Sequence, residues 1–278
     1  MKKQSKTRDN IVFSFPESKI KDLKSDDINL ITDPFLLCSV DNFLCNELYN
    51  ELYHTFPQSD FLLQNVDPIN YNEGNKVKLD GRSEILLEFF EKNPAWRRFS
   101  DSINSQLTSD YFRDLFDSYI PKRKNFKDRK WIIDKDYYKN NKGIEETENA
   151  NYVRFSFEFS YMENGSFIAP HTDSEKKVIS MLFYFADPNI DWEHYDCGTY
   201  FYKTDKIDTE FNLWESIHLK DDSLKKFRQE SYAFHYSEFK ANKFVLFIKT
   251  DNSWHEVKKM TLPSGIKRKT FIVNLFHS

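Results

Sequence analysis

The chain has 278 residues, with 40 Lys or Arg against 44 Asp or Glu, so its formal net charge is −4. Such a near-balanced charge provides no overall field for nucleic acid or an anionic membrane, and no apolar run approaches the length of a transmembrane helix. Three cysteines, an odd number without metal-site spacing, favour a reducing compartment and hence a cytoplasmic protein, and an aromatic content of 17% indicates a substantial core.

The first half of the chain is predicted to be mainly helical. Residues 1–10 are polar and are predicted to form a disordered tail. Residues 33–57 begin like a strand and continue with apolar side chains at helical spacing. Two further helical stretches are predicted at 84–92 and 94–119, and Pro94 between them is typical of the first position of a helix.

The composition changes over residues 120–150. A basic stretch at 122–130 is followed by polar sequence without periodicity, which we interpret as a long flap. The basic stretch could face an anionic substrate or a nucleic acid, although a solvated loop is the commoner role for such a run. We therefore expect a helical support region with a flap over 11–150 and a β core over 151–278, together forming one structural domain.

The second half is predicted to be β. Residues 154–162 alternate strictly, so that four aromatic side chains ending with Tyr161 share one face. Residues 178–186 are apolar on both faces, which favours a central strand. Short strands in series, separated by turns, indicate a sandwich or a jelly roll. The remaining predicted strands are 198–203, 231–236, 243–249 and 269–276.

Three residues in this half have the pattern of a metal site. His171 and Asp173 lie two apart in IAPHTD, so that in an extended segment their side chains point the same way. His255 lies in SWHEV, several strands later, and only folding can bring it close. Two imidazoles and one carboxylate can hold one face of an iron(II) ion and leave the other face open. Taken alone, however, an H-x-D pattern arises often by chance.

The surrounding segments carry a more specific signal. Five of them occur in the order typical of one enzyme superfamily: YMENGSFIAPHTD, KKVISMLFYFADP, DCGTYFYK, FKANKFVLFIKTDNSWHEV and GIKRKTFIVNLF. The sequence resembles the 2-oxoglutarate- and iron(II)-dependent oxygenases, specifically their prolyl-hydroxylase-like branch, loosely over 33–56 and well over 152–276. The resemblance implies a mainly β fold, with a double-stranded β-helix (jelly-roll) core buttressed by N-terminal helices.

The resemblance also implies an active site. His171, Asp173 and His255 would be the metal ligands, and Arg268 would clamp the distal carboxylate of 2-oxoglutarate with a two-pronged ion pair. These four residues would be the catalytic set. Asp173 further favours hydroxylation, because related halogenases have a small residue in its place that leaves a site for chloride.

Three more residues are predicted to reach the co-substrate. Thr270 lies two positions after Arg268, hence on the same strand face, and its hydroxyl could donate to the same carboxylate. By resemblance, Tyr161 and Tyr184 would donate their phenol hydroxyls to the co-substrate. For each tyrosine an ordinary place in the aromatic core is an equally common role.

The implied reaction is the oxidative decarboxylation of 2-oxoglutarate to succinate and CO2, coupled to hydroxylation of a C–H bond. Its cofactors would be Fe(II), 2-oxoglutarate and O2, with ascorbate as a candidate reductant. The substrate would be a small molecule or a peptide, including a prolyl peptide. The loops expected to face it are 60–80, 120–150 and 187–230, but neither its identity nor the oligomeric state follows from the sequence.

Two other functions could use the same residues. A jelly roll that binds a metal or a small acid without turnover would be a sensor, although a complete triad together with Arg268 argues against such a loss of activity. A zinc hydrolase could also use these ligands. Activity that needs neither oxygen nor 2-oxoglutarate would identify it.

Overall fold

The computed structural model describes residues 27–65, 74–80, 84–121, 130–134, 150–204 and 221–277. The predicted tail at 1–10 lies outside the described residues, as does most of the predicted flap with its basic stretch. Within the described ranges, no helix is both long enough and apolar enough to cross a membrane.

Most of the described helices lie in the first half of the chain, as predicted. They are α1 (Asn46–His54), α2 (Ser59–Asn65), α3 (Glu84–Lys92), α4 (Pro94–Ile103), α5 (Gln106–Phe116) and α6 (Asp221–Glu230). The continuous helical stretch predicted over 94–119 is wrong, since α4 and α5 are separate helices. The division has a local cause: the side chain of Ser105 accepts a hydrogen bond from the backbone N–H of Thr108 and so caps the start of α5.

The described strands include every strand predicted from the sequence, with ends shifted by up to four residues. They are β1 (Ile28–Ile31), β2 (Leu37–Val40), β3 (Val77–Asp80), β4 (Lys130–Ile133), β5 (Ala150–Met162), β6 (Ile168–His171), β7 (Lys177–Phe185), β8 (Thr199–Thr204), β9 (Ser231–Ser237), β10 (Ala241–Ile248), β11 (Trp254–Val257) and β12 (Arg268–His277). The loops predicted over 60–80, 120–150 and 187–230 are wrong in part. Helix α2 and strand β3 lie in the first, β4 lies in the second, and β8 and α6 lie in the third.

From β5 onward the chain passes back and forth between two sheets, with the consecutive strands β8 and β9 both in the small one. The large sheet has the order β1-β2-β10-β7-β12-β5-β3, with β4 parallel to β5, and the small sheet has the order β6-β11-β8-β9. This is the strand order of a double-stranded β-helix, so the predicted mainly β fold with N-terminal helices is confirmed. Strands β1 to β4 extend the large sheet, which means that the first half of the chain does more than support it from outside.

The large sheet is covered on both faces. On its outer face the helices pack through an aromatic cluster in which the Trp96 ring lies 4.6 Å from that of Phe159 and 4.9 Å from that of Phe271. On its inner face it meets the small sheet, and here the rings of Phe247 and Phe201 are 5.4 Å apart. The space between the two sheets is where the predicted metal ligands lie.

Candidate metal centre

The structure brings His171, Asp173 and His255 together. One ligand atom from each residue can be chosen so that all three lie within 4.8 Å of one another. Nε2 of His171 is 3.5 Å from Oδ1 of Asp173, and Nε2 of His255 is 3.8 Å from Oδ2 of the same carboxylate. The two imidazole centroids are 4.2 Å apart. Three potential ligands thus surround one small volume.

Two features of the backbone produce this convergence. His171 ends β6, and His255 is its directly paired neighbour on β11. Asp173 lies beyond the strand and has a φ of 71°, in the left-handed region that aspartate enters more readily than most residues. The two side chains converge as expected, but the segment is not extended throughout, as the expectation assumed. A turn after β6 brings the carboxylate back to the histidines.

Both imidazoles are held in the form that suits a ligand. Nδ1 of His171 lies 2.9 Å from the Ala169 carbonyl, and Nδ1 of His255 lies 2.9 Å from the Ser253 carbonyl. A carbonyl can only accept a hydrogen bond, so Nδ1 carries the proton in each ring and the Nε2 lone pair faces Asp173. Burial, with a further contribution from the neighbouring His171, lowers the pKa of His255 to about 3. At neutral pH the imidazole of His255 is therefore uncharged, and its Nε2 lone pair is free to bind a metal ion.

The carboxylate of Asp173 is held from both sides. Lys177 donates to its Oδ1 at 2.8 Å, and Ser180 donates to its Oδ2 at 3.1 Å. Burial alone would raise the pKa of Asp173, but the attraction of Lys177, followed by that of the two histidines, outweighs burial and holds the pKa well below its usual range. The group is ionised, as a metal ligand must be.

Sequence reasoning missed Lys177 and Ser180. A signal was present for Ser180, which is the one polar side chain in the otherwise apolar segment VISMLFYFA. A polar residue in a strand that is buried on both faces needs a hydrogen-bonding partner, and Asp173 provides it. Lys177 has no comparable signal, because its contact depends on the turn that follows His171.

The donor set fits a divalent transition metal. Two neutral imidazole nitrogens and one carboxylate suit iron(II), and they suit zinc equally well. The rings of Phe247 and Phe201 lie 4.6 Å and 6.1 Å from that of His255. These aromatic walls restrict the access of water to one side of the site.

Arg268 lies on the inner face of the large sheet and is only 3% exposed. Its Nε donates to the Cys197 carbonyl at 2.7 Å, and its Nη2 donates to Oγ1 of Thr199 at 3.2 Å. The guanidinium carbon is 5.2 Å from the ring centroids of both Tyr184 and Phe239. In the part of the chain that the structure describes, no carboxylate forms an ion pair with Arg268. A buried cation without an anionic partner is costly, which makes this a suitable place for a carboxylate ligand.

Two of the three other predicted co-substrate residues accompany Arg268. Tyr184 and Thr270 are directly paired across β7 and β12 and share the inner face. The Tyr184 hydroxyl is 2.7 Å from Oγ1 of Thr199, the same oxygen that Arg268 contacts. The Thr270 hydroxyl is 2.8 Å from Oγ of Ser160. Both hydroxyls therefore lie in the layer of side chains that contains Arg268.

Tyr161 lies apart from this group. It is paired with Lys269 of β12, not with Arg268 or Thr270, and it packs in the aromatic cluster on the outer face. Its hydroxyl is buried and has no hydrogen-bond partner among the described residues. The same alternation that aligns it with the phenylalanines of β5 turns it away from Arg268, so its position does not support the predicted contact with the co-substrate.

Comparison with known proteins gives only distant likenesses. No family model and no curated protein matches the sequence. Among solved structures, a prolyl-4-hydroxylase from Pseudomonas putida is 14% identical, with 87% of this chain and 92% of that chain covered and a TM-score of 0.42. A prolyl hydroxylase from Trichoplax adhaerens, in complex with a peptide fragment of the hypoxia inducible factor oxygen degradation domain, is also 14% identical, with 86% and 83% covered and a TM-score of 0.44. Likenesses of this size assign neither a family nor an activity to the chain.

Proposed function

We propose that the protein is an Fe(II)- and 2-oxoglutarate-dependent dioxygenase that hydroxylates a C–H bond of a small-molecule or peptidyl substrate. The observation that carries the proposal is the pairing of two features in the space between the sheets. One is the triad of His171, Asp173 and His255 with both Nε2 atoms directed at one carboxylate. The other is Arg268, buried and without a carboxylate partner among the described residues.

In this function the three triad residues hold the metal. The Ala169 and Ser253 carbonyls fix the imidazole tautomers, and Lys177 and Ser180 fix the carboxylate. Bound iron(II), together with 2-oxoglutarate and O2, supplies the oxidising chemistry, in which one oxygen atom enters the substrate as hydroxyl and the other enters succinate as CO2 leaves. Ascorbate is a candidate reductant for keeping the metal ferrous.

Arg268 would orient the co-substrate. Its planar guanidinium can bind one carboxylate of 2-oxoglutarate through two parallel hydrogen bonds. Tyr184 and Thr270 add hydroxyl donors in the same layer, and Thr199 links Tyr184 to Arg268. The keto-acid end of the molecule would then face the triad. No described carboxylate pairs with Arg268, so the co-substrate would neutralise its charge, which favours binding there.

The test is succinate formation from 2-oxoglutarate by the purified protein with Fe(II) and oxygen, across free amino acids, metabolites and peptides. We expect the wild type to form succinate and His171→Ala to form none, because one of three metal ligands is lost. Arg98→Gln is a matched control, since the Arg98 side chain is 63% exposed and far in sequence from the site. Binding of metal and 2-oxoglutarate without succinate would indicate a sensor and contradict the proposal.

A zinc hydrolase is the second candidate, because two histidines and one aspartate also suit zinc. The same preparations separate the two functions. Hydrolytic activity that persists under argon, depends on Zn(II) and needs no 2-oxoglutarate would favour the hydrolase. Succinate formation that needs Fe(II) and stops under argon would exclude it.

A further inference from the structure

Asn274 of β12 lies beside the metal centre. It is directly paired with Ser180 of β7 on one side and with Ser156 of β5 on the other, and all three share the inner face. Directly opposed residues in antiparallel strands have Cβ atoms about 5 Å apart. Ser180 in turn donates to the Asp173 carboxylate. One side chain therefore separates Asn274 from a candidate metal ligand.

No described residue donates to the side-chain oxygen of Asn274. The residue is 7% exposed, and its Oδ1 is buried without a hydrogen-bond partner in the described part of the chain. Leaving a buried acceptor unpaired costs free energy, and most buried polar atoms in proteins are paired. A leucine would fill a similar volume without this cost. An unpaired acceptor next to the triad is therefore a suitable place for the N–H or O–H of a bound molecule.

A cation lies one row further along the same face. Phe276 of β12 is paired with Arg154 of β5 on one side and with Lys177 of β7 on the other. The guanidinium carbon of Arg154 is 5.2 Å from the centroid of the Phe276 ring. Arg154 is a diagonal neighbour of Asn274, at a Cβ separation of about 7–8 Å. A guanidinium has five donors, so it can bind a carboxylate in addition to other partners.

The charges nearby favour a ligand that carries a carboxylate. Two carboxylates on this side of the sheet already have lysine partners, since Glu158 forms an ion pair with Lys76 and Asp173 forms one with Lys177. A divalent metal held by Asp173 would add further positive charge. A ligand without a carboxylate would have to desolvate these groups without compensation, whereas a carboxylate next to Arg154 would be attracted by them.

We propose that the substrate is a free α-amino acid, with its carboxylate bound by Arg154 and its ammonium group donating to Oδ1 of Asn274. This inference rests on the proposed dioxygenase function. In an α-amino acid the two charged groups are attached to the same carbon, which suits a diagonal pair of protein partners. Asn274 lies between Arg154 and Ser180 across the sheet, so the amino-acid side chain is left to extend towards Asp173. A prolyl residue inside a peptide has neither charged group.

The test measures binding to the Zn(II)-loaded protein, so that it does not depend on turnover. Saturation-transfer NMR would screen three probes: free L-amino acids, the same amino acids as carboxamides, and an end-blocked prolyl peptide. Calorimetry would then give the Kd of the best binder. We expect a free amino acid to bind and its carboxamide to bind at least about tenfold more weakly, because the charge-assisted hydrogen bonds to Arg154 are lost.

Substituted variants test which residues are responsible for the binding of the amino acid. Arg154→Gln and Asn274→Leu should each weaken it by about 10–100-fold, while Arg98→Gln, the matched exposed arginine, should leave it unchanged. Asn274→Ser is the second variant should the leucine disturb the fold, as judged by circular dichroism, and it should also weaken binding. Unchanged affinity in Arg154→Gln and in folded Asn274 variants would overturn the assignment.

Two other results would overturn the proposal. One is preferential binding of the prolyl peptide, and the other is the absence of binding by every free amino acid. Failure of the dioxygenase function looks different, because it appears as binding of the amino acid to the Zn(II) protein without succinate formation by the Fe(II) protein. That outcome would leave an amino-acid site on the inner face and remove only the reaction.

Discussion

The two faces of the large sheet are built from the same strands but have different chemistry. On the outer face, Phe271 of β12 packs with Trp96 and Phe159 in an aromatic cluster that joins the sheet to the helices. On the inner face, Arg268 and Asn274 of the same strand lie in the space shared with the triad. Period-two alternation thus separates residues that stabilise the fold from the residues proposed to bind ligands. Substitutions on the outer face should therefore lower stability, and substitutions on the inner face should weaken ligand binding.

The largest expected effect on stability comes from the outer face. Trp96 is fully buried and contacts Phe159 and Phe271. We expect Trp96→Ala to lower the free energy of unfolding by about 3–5 kcal/mol, because it leaves a cavity in a packed aromatic cluster. Urea denaturation followed by circular dichroism measures this change.

The control for Trp96→Ala lies on the same helix. Arg98→Ala removes an exposed side chain and should change stability by no more than about 0.5 kcal/mol. At a temperature where Trp96→Ala is folded, its Co(II) affinity should equal that of the wild type. A loss of Co(II) affinity with unchanged stability would contradict the separation of the two faces.

The next largest expected effect is that of Arg268→Met, a substitution on the inner face. We expect Arg268→Met to raise the KM for 2-oxoglutarate about a hundredfold, which corresponds to about 3 kcal/mol. Stability should hold or increase, since a buried cation without an anionic partner in the described structure is replaced by an apolar side chain of similar length. Initial rates of succinate formation against 2-oxoglutarate concentration measure the KM.

Arg268→Lys is the matched variant for this position. It keeps the charge but loses the two-pronged geometry, so its KM should lie between those of the wild type and Arg268→Met. If Arg268→Met unfolded the protein and left the KM of the folded fraction unchanged, Arg268 would be a structural residue linking Cys197 and Thr199.

The strongly patterned parts of this fold could be predicted from the sequence. Strict alternation identified β5 as a strand, and the apolar run of β7 identified it as a central one, because burial on one or both faces leaves a direct mark on composition. Helix α3 was predicted with its observed ends. Short elements without such a mark were missed, among them α2 and β3. Strand β3 depends on pairing with the distant strand β5.

The candidate site was predictable in its residues more than in its geometry. The triad was found through the types and order of residues, yet the turn at Asp173 that brings it together was not, since a left-handed aspartate has no reliable sequence signal. Tyr161 shows the opposite case. Its alternation already put it on the same face as the phenylalanines of β5, which in the structure is the outer face, away from the role that the resemblance implied.

The smallest expected effect, that of Tyr161→Phe, gives the sharpest test of the division between faces. Burial, with help from Glu163 and Asp60, raises the pKa of Tyr161 to about 12, so its phenol is uncharged at neutral pH. Its hydroxyl is buried without a partner among the described residues. Removing it should leave the KM for 2-oxoglutarate unchanged and stabilise the fold by up to about 1 kcal/mol.

Tyr184→Phe is the control for this prediction, because its hydroxyl is lost from the inner face. It breaks the contact with Thr199, which also holds Arg268, and should therefore raise the KM for 2-oxoglutarate severalfold. Succinate kinetics and urea denaturation on the two phenylalanine variants give the comparison. A higher KM in Tyr161→Phe than in Tyr184→Phe would place Tyr161 in the co-substrate site. The outer face could then no longer be regarded as purely structural, because a residue packed among its phenylalanines would contribute to ligand binding.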